Sequence, residues 1–320
     1  MSANQTVPSL DSAFQSNCQR IFDAVQSVIT GKPEAVTSAL TVLLAQGHLL
    51  IEDVPGVGKT MLAKSMARSV NGSVHRIQFT PDLLPSDVTG VSVYSPQTHE
   101  FTFHPGPIFA NIVIADEINR ANAKTQSALL ECMEEQQVTV DSITHRLEQP
   151  FMVVATQNPV DSEGTFALPE AQRDRFMARL SLGYPQRDAE ISMLAGRHQF
   201  DPLEALRAVV ELAELRHMIE QVKTVVVTER LGSYVVDLGR ATREHPQVAL
   251  GASPRALIQW VRAAKARAAI QGRDHVLPED VRSVAQMVLN HRLILTRRAV
   301  ADGMDTSAVI QELVASTPVN

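Results

Sequence analysis

The sequence predicts an α/β fold: a parallel β-sheet flanked by helices, followed by an all-helical domain. Three observations carry this. A short apolar run, Leu49-Leu50-Ile51, enters a Gly/Pro-rich turn that opens into a helical run at Lys59-Thr60, the strand, loop and helix order of a phosphate-binding loop. Two more apolar runs, Ile112 to Ala115 and Phe151 to Thr156, end on polar residues. That is how strands deliver side chains to the carboxyl edge of a parallel sheet, where ligands bind. Beyond Tyr184-Pro185 the strand signals nearly cease and helical spacing dominates.

These features divide the 320 residues into a tail and helix (1–30), an α/β domain (31–183) and a helical domain (184–320), with the boundary near Gly183. Hydrophobic content of 44% and charged content of 20% are globular values. Net charge is −6, so the whole chain is not a nucleic-acid or membrane-surface binder by charge. The acidity is uneven: residues 1–183 carry 12 basic and 19 acidic side chains, residues 184–320 carry 17 and 16. From Arg255 to Arg298 there are nine basic and three acidic residues, which reads as a solvated helix face or as a phosphate or subunit contact. Cys18 and Cys132 are far apart, without metal-ligand spacing, and imply neither a disulfide framework nor a zinc site. The N-terminus has no charged segment followed by an apolar one, so no signal peptide is expected. The uncharged stretch Ala35 to Ile51 splits into a helix and a strand better than it forms a membrane span. A cytoplasmic protein is expected.

In chain order, the first dozen residues are polar and expected to fray. Phe14, Cys18, Ile21, Phe22, Val25, Val28 and Ile29 have helical spacing, stopped by Gly31. Pro33 starts a second helix, to Ala45. After the loop's helix, Asn71-Gly72 is a turn and Val74–Phe79 a strand. Val91–Tyr94 and Phe101–His104 read as a β-hairpin within Pro81–Pro107, a segment without Lys or Arg. Its aromatic residues Tyr94, Phe101 and Phe103 suit either a contact surface or packing under a neighbouring hairpin. A helix is expected from Ala123 to Gln136, and a second hairpin from Val138–Val140 and Ile143–Leu147. The helical domain should hold helices at 188–198, 202–222, 228–244, 253–271 and 278–291. In the fourth, Ser253 caps and Pro254 takes the first helical position.

The residue types around the loop suit phosphate chemistry. Gly56 and Gly58 let successive backbone N–H groups turn inward on an anion, and the helix N-terminus adds partial positive charge. Lys59 can reach the β- and γ-phosphates, and the Thr60 hydroxyl can ligate Mg²⁺. Asp53 stands where the usual pattern has its first glycine, and aspartate tolerates the left-handed backbone better than most residues. Asp116-Glu117 at a strand end suits a Mg²⁺ ligand beside a catalytic base. Asn158, at the next strand end, could sense a γ-phosphate or hold a water.

The strings DVPGVGKT, IVIADEINRA, ATQNPVDSEGTFALPEAQRDRF and GASPRA, in this order and spacing, closely resemble the MoxR branch of AAA+ ATPases. The resemblance spans Phe14 to Arg298 and implies a P-loop AAA+ sheet domain followed by a helical lid. The sequence departs from the family pattern at Asp53 and at Arg173, often aliphatic in the family. The resemblance implies that ATP is held by Asp53, Val54, Pro55, Gly56, Val57, Gly58, Lys59, Thr60, Met61 and Asp116, with Mg²⁺ on Thr60 and Asp116. Glu117 resembles the carboxylate that polarises the attacking water, and Asn158 resembles sensor 1. Arg175 looks like a finger inserted into a neighbour's site, Arg173 being the other candidate, and Arg255 looks like sensor 2 on the lid. A hexameric ring is implied, and so is ATP-driven remodelling or maturation of partner proteins, such as von Willebrand factor A-type partners. Alternatives are the ATPase subunit of a magnesium-chelatase-like enzyme, a nucleic-acid motor and a nucleotide-locked scaffold. The motor is disfavoured because the first hairpin is without Lys or Arg and the second offers only Arg146 and His145.

Overall fold

Alternation along the apolar strands decides the layering. The computed structural model describes residues 10–158, 166–185, 187–188, 190–191 and 201–319. Its strands are β1 (Leu49–Glu52), β2 (Val74–Gln78), β3 (Gly90–Ser95), β4 (Glu100–Pro105), β5 (Ile112–Asp116), β6 (Gln137–Val140), β7 (Ile143–Arg146), β8 (Met152–Gln157) and β9 (Ala178–Leu180). Five of them form one parallel sheet in the order β2-β5-β8-β1-β9. Leu49, Ile51, Ile112, Ile114, Met152 and Val154 point into one core, while Leu50, Val113, Ala115, Val153 and Ala155 point into another. A sheet buried on both faces needs apolar residues at every position, which is why these strands read as unbroken apolar runs.

The first core is covered by α1 (Ser12–Val28), α2 (Pro33–Leu44) and α3 (Lys59–Ser69) together with lid helices. The second lies under α4 (Pro85–Thr89) and α5 (Ala123–Glu135). The expected hairpins form as β3–β4 and β6–β7, both antiparallel. Phe103 and Phe101 part company here. Phe103 stacks on His145 of the second hairpin at 4.0 Å and meets Phe109 edge-on. Phe101 is 72% exposed, and among the described residues its ring pairs with half-exposed Tyr94 alone, at 5.3 Å.

In the lid, the helices Glu229–Glu244, Pro254–Ile270 and Pro278–Leu289 match their expected spans closely. Ser253 caps the second of these by accepting from the Ala256 N–H, and Trp260 is fully buried with its indole N–H on the Val281 carbonyl, 2.8 Å. The helix expected over 202–222 needs correction: the chain forms two pieces there, Pro202–Ala205 and Leu212–Thr224. Between them the N–H groups of Val209 and Val210 turn onto the Ser69 carbonyl, and Glu214 reaches back to the Glu211 N–H to start the second piece. The lid also carries a short antiparallel ribbon, Val248–Leu250 with Ile294–Leu295, and two final helices, Arg297–Ala301 and Thr306–Ser316. The helix expected over 188–198 falls mostly outside the described residues, of which 188, 190 and 191 are helical, and residues 1–9 of the stretch expected to fray lie outside them. Among the described residues no helix is long and apolar enough to cross a membrane.

The basic run over 255–298 is only partly a solvated face. Arg262 donates to the Ala45 and Gln46 carbonyls, Arg273 forks onto Asp280, and Arg292 is buried against the turn before β9.

Candidate nucleotide site

Three adjacent strands, β1, β8 and β5, end together at one edge of the sheet and place the loop and the acidic pair side by side. Gly56 and Gly58 have φ of +84° and +96°, the left-handed region that glycine enters without strain. Gly56 is exposed, and nothing lies within 4 Å of where a Cβ on it would sit. Lys59 opens α3 and its Nζ donates to the Asp53 carbonyl at 2.5 Å. Burial lowers its pKa, while the charges of Asp53, Asp116 and Glu117 act the other way.

Asp116 is the last residue of β5 and is 5% exposed. Its Oδ1 accepts from the Thr156 hydroxyl at 3.0 Å, and its Oδ2 accepts from Arg76 Nε at 2.5 Å and from the Thr60 hydroxyl at 3.3 Å. Glu117 follows with left-handed backbone (φ 56°, ψ 48°), its N–H on Thr156 Oγ1. That turn carries its carboxylate to Gln78 Nε2 (2.8 Å) and Arg120 Nε (3.1 Å). Asn158 is buried just past the end of β8.

Asp53 behaves differently from the expectation. Its φ is not positive, so the conformational freedom of the usual glycine is not used here. The side chain is used instead: Oδ1 takes the Val54 N–H, and Oδ2 takes the Gly183 N–H at 2.6 Å and the Ser181 hydroxyl at 3.0 Å. Burial pushes this carboxyl up, and the donors from Gly183, Ser181 and Val54 outweigh it to hold the pKa below its ordinary value. The phosphate loop is thereby tied to the segment that leads into the lid.

These residues fit a nucleoside triphosphate with Mg²⁺. A Thr hydroxyl beside a carboxylate supplies the few hard oxygen ligands with which Mg²⁺ is commonly held, its remaining positions staying with water and phosphate. The three arginines singled out in the sequence, Arg173, Arg175 and Arg255, lie elsewhere. Arg175 Nε pairs with Glu134 at 3.0 Å, and Arg255 pairs with the other oxygen of that carboxylate. Arg173 closes a short helix (Glu170–Arg173), and its Nε is buried with no hydrogen-bond partner. The two paired arginines line a cavity of about 360 Å³ with Gly47 and His48, which precede β1. From His48 to Asp53 the strand rises about 16 Å, at about 3.3 Å per residue. Arg175 and Arg255 therefore sit at the opposite edge of the sheet from their own phosphate loop.

Comparison with known proteins gives the family. Residues 48–178 match the model for the ATPase family associated with various cellular activities (AAA), and residues 240–313 match the AAA lid domain. The chain is 42% identical over 305 residues to chaperone MoxR1 of Mycobacterium tuberculosis, covering 92% of this chain and 80% of that protein. It belongs to the MoxR family of AAA+ ATPases. Uncharacterized protein YeaC of Bacillus subtilis is 46% identical to this MoxR-family chain, covering 92% of each. The crystal structure of a candidate ATPase from Cytophaga hutchinsonii is 39% identical, with a TM-score of 0.88 over 95% of each chain.

Four residues with roles at these edges lie outside the motifs: Arg76, Gln78, Glu134 and Arg292. Arg76 and Gln78 alternate on β2 beside β5, which becomes visible only once the strand order is known.

Proposed function

We propose that this MoxR-family protein is a Mg²⁺-dependent ATPase whose active site is completed between subunits of a ring, the hexamer its family implies, and that it remodels or matures partner proteins, von Willebrand factor A-type partners among them. The observation that carries the reading is the separation of charges. Lys59, Thr60, Asp116 and Glu117 gather at one edge of the sheet, and Arg175 and Arg255 at the other. Phosphoryl transfer needs positioning and positive charge on the transferring group; a single chain holds Arg76 and Arg120 on its own Asp116 and Glu117 but keeps Arg175 and Arg255 away from its own loop. A head-to-tail contact that closes into a ring brings the two edges together.

In this reading Lys59 and the loop N–H groups hold the phosphates. Thr60 and Asp116 hold Mg²⁺, which would neutralise charge on the β- and γ-phosphates. Glu117 polarises the attacking water and Asn158 orients it. Arg175 from the neighbour stabilises transition-state charge, an effect worth about 10³–10⁵ in rate for such fingers. The exposed Val91, Val93, Tyr94 and Phe101 of the first hairpin suit a protein surface better than a phosphate backbone.

Glu117→Gln tests the chemistry and the clients together. The variant should bind Mg-ATP, leave it unhydrolysed and retain bound clients through affinity capture, to be identified by mass spectrometry. Turnover at the normal rate would remove Glu117 from its role.

A further inference from the structure

One lid arginine does more than hold two domains together. Arg292 has a side chain only 2% exposed. Its Nε donates to Asp174 Oδ1 at 2.8 Å; its terminal nitrogens donate to the carbonyls of Asp174 (3.1 Å), Phe176 (2.6 Å) and Met177 (3.1 Å), to the Val288 carbonyl and to Gln259 Oε1. Those acceptors bracket Arg175 on both sides. Gln259 also donates to the Arg175 carbonyl, at 3.5 Å. The second oxygen of Asp174 accepts the Ser253 hydroxyl at 2.9 Å, and Ser253 caps the helix that opens with Pro254-Arg255. A single guanidinium, through Asp174, thus fixes the backbone carrying Arg175 and the helix start carrying Arg255.

We propose that Arg292 is a positioning residue for the neighbouring subunit's nucleotide site, acting through Asp174 to hold Arg175 and Arg255 in register. The proposal rests on the reading that these arginines act across a subunit contact. Guanidinium chemistry suits such a role, because five N–H donors in a rigid plane can saturate a cluster of carbonyls that the three donors of an ammonium cannot match. The consequence is directional. All of the Arg292 contacts to the sheet domain lie at the edge opposite the phosphate loop, so its loss should damage the site of the subunit that receives the arginines and spare its own.

The test uses full-length rings of Arg292→Gln, and of Arg292→Gln with Asp174→Asn, which removes the half-buried carboxylate that would lose its cation. Each should keep ATP affinity close to that of the parent, measured with a fluorescent ATP analogue. Each should lose ATPase by about 10²-fold, the scale of a misplacement near 1 Å. Arg292→Lys should not restore the rate. The deciding readout is mixing with Lys59→Ala subunits, after exchange has been verified with mass-tagged subunits. Activity should return, because an Arg292→Gln subunit still has an intact loop that can receive a Lys59→Ala neighbour's Arg175. An Arg175→Ala and Lys59→Ala mixture run alongside separates the two ideas. If that mixture recovers and the Arg292 mixtures do not, Arg292 is only structural and the proposal is wrong. If neither recovers, the cross-subunit reading fails and takes the proposal with it. Wild-type turnover by the double variant alone would also overturn it.

Discussion

Asp53→Ala should loosen the tie between the phosphate loop and the lid, and the size of the effect follows from the contacts. The carboxylate accepts from Val54, Gly183 and Ser181, and Asp53 is 7% exposed. Hydrogen bonds to a charged group contribute about 1.5–3 kcal/mol each. Ser181 is exposed and Gly183 half-buried, so water replaces part of what they lose, and a net cost of about 2–4 kcal/mol remains. With an unfolding entropy of about 2 cal/mol/K per residue, that corresponds to a fall in Tm of about 3–6 °C for a chain of this length. The carboxyl pKa is held below its ordinary value. Its contribution is therefore complete above the unfolded value of about 3.9 and is lost as pH falls through the folded one. The difference between the variant and its parent should accordingly be constant from about pH 5 to 8 and shrink in stronger acid. Calorimetry measures the Tm, and amide hydrogen exchange should show faster exchange at Gly183 in the variant. A Tm within about 1 °C of the parent, with unchanged protection at Gly183, would refute the clamp.

Three further outcomes are expected. His48 is buried neutral, with Nδ1 accepting the Val153 N–H and Nε2 facing the Met133 carbonyl. Burial holds its pKa at about 4. Its contribution is present above the unfolded value and lost as pH falls from about 6.5 towards the folded one, on the order of 3 kcal/mol in all, so His48→Gln should flatten denaturant-measured stability across that window. Phe103→Ser should lower Tm by removing the stack on His145, a pair worth about 0.5–1.5 kcal/mol beyond burial. Phe101→Ser should leave Tm and basal ATPase alone and weaken client capture; the reverse pattern would place the contact surface elsewhere.

The loop, the acidic pair and the sheet strands are legible in the sequence because each is local. A glycine that must take positive φ, a lysine at a helix start and an apolar run buried on both faces all leave marks within a dozen residues. Longer-range contacts leave none. Asp53 reads as a substitute for backbone freedom, yet two of its partners, Ser181 and Gly183, lie 128 and 130 residues downstream. The break between Ala205 and Leu212 depends on a carbonyl at the end of α3, while the apolar spacing runs on through it. Phe101 and Phe103 share the same local pattern, and only the position of the second hairpin separates them. Arg292 is one cation in a basic run until the turn before β9 closes over it.

Mixing Lys59→Ala with Arg175→Ala subunits puts the composite site itself at risk. Each homo-oligomer should be nearly inactive, and Arg175→Ala should still bind ATP, since a finger acts chiefly on transition-state charge. With complete exchange at equal amounts, about one quarter of the head-to-tail contacts join an intact Lys59 to an intact Arg175, and ATPase should return in part. Arg173→Ala in place of Arg175→Ala identifies the finger, because only the true one is dead alone and rescued in the mixture. Wild-type turnover by Arg175→Ala alone, or no recovery in either mixture after verified exchange, would contradict the composite site.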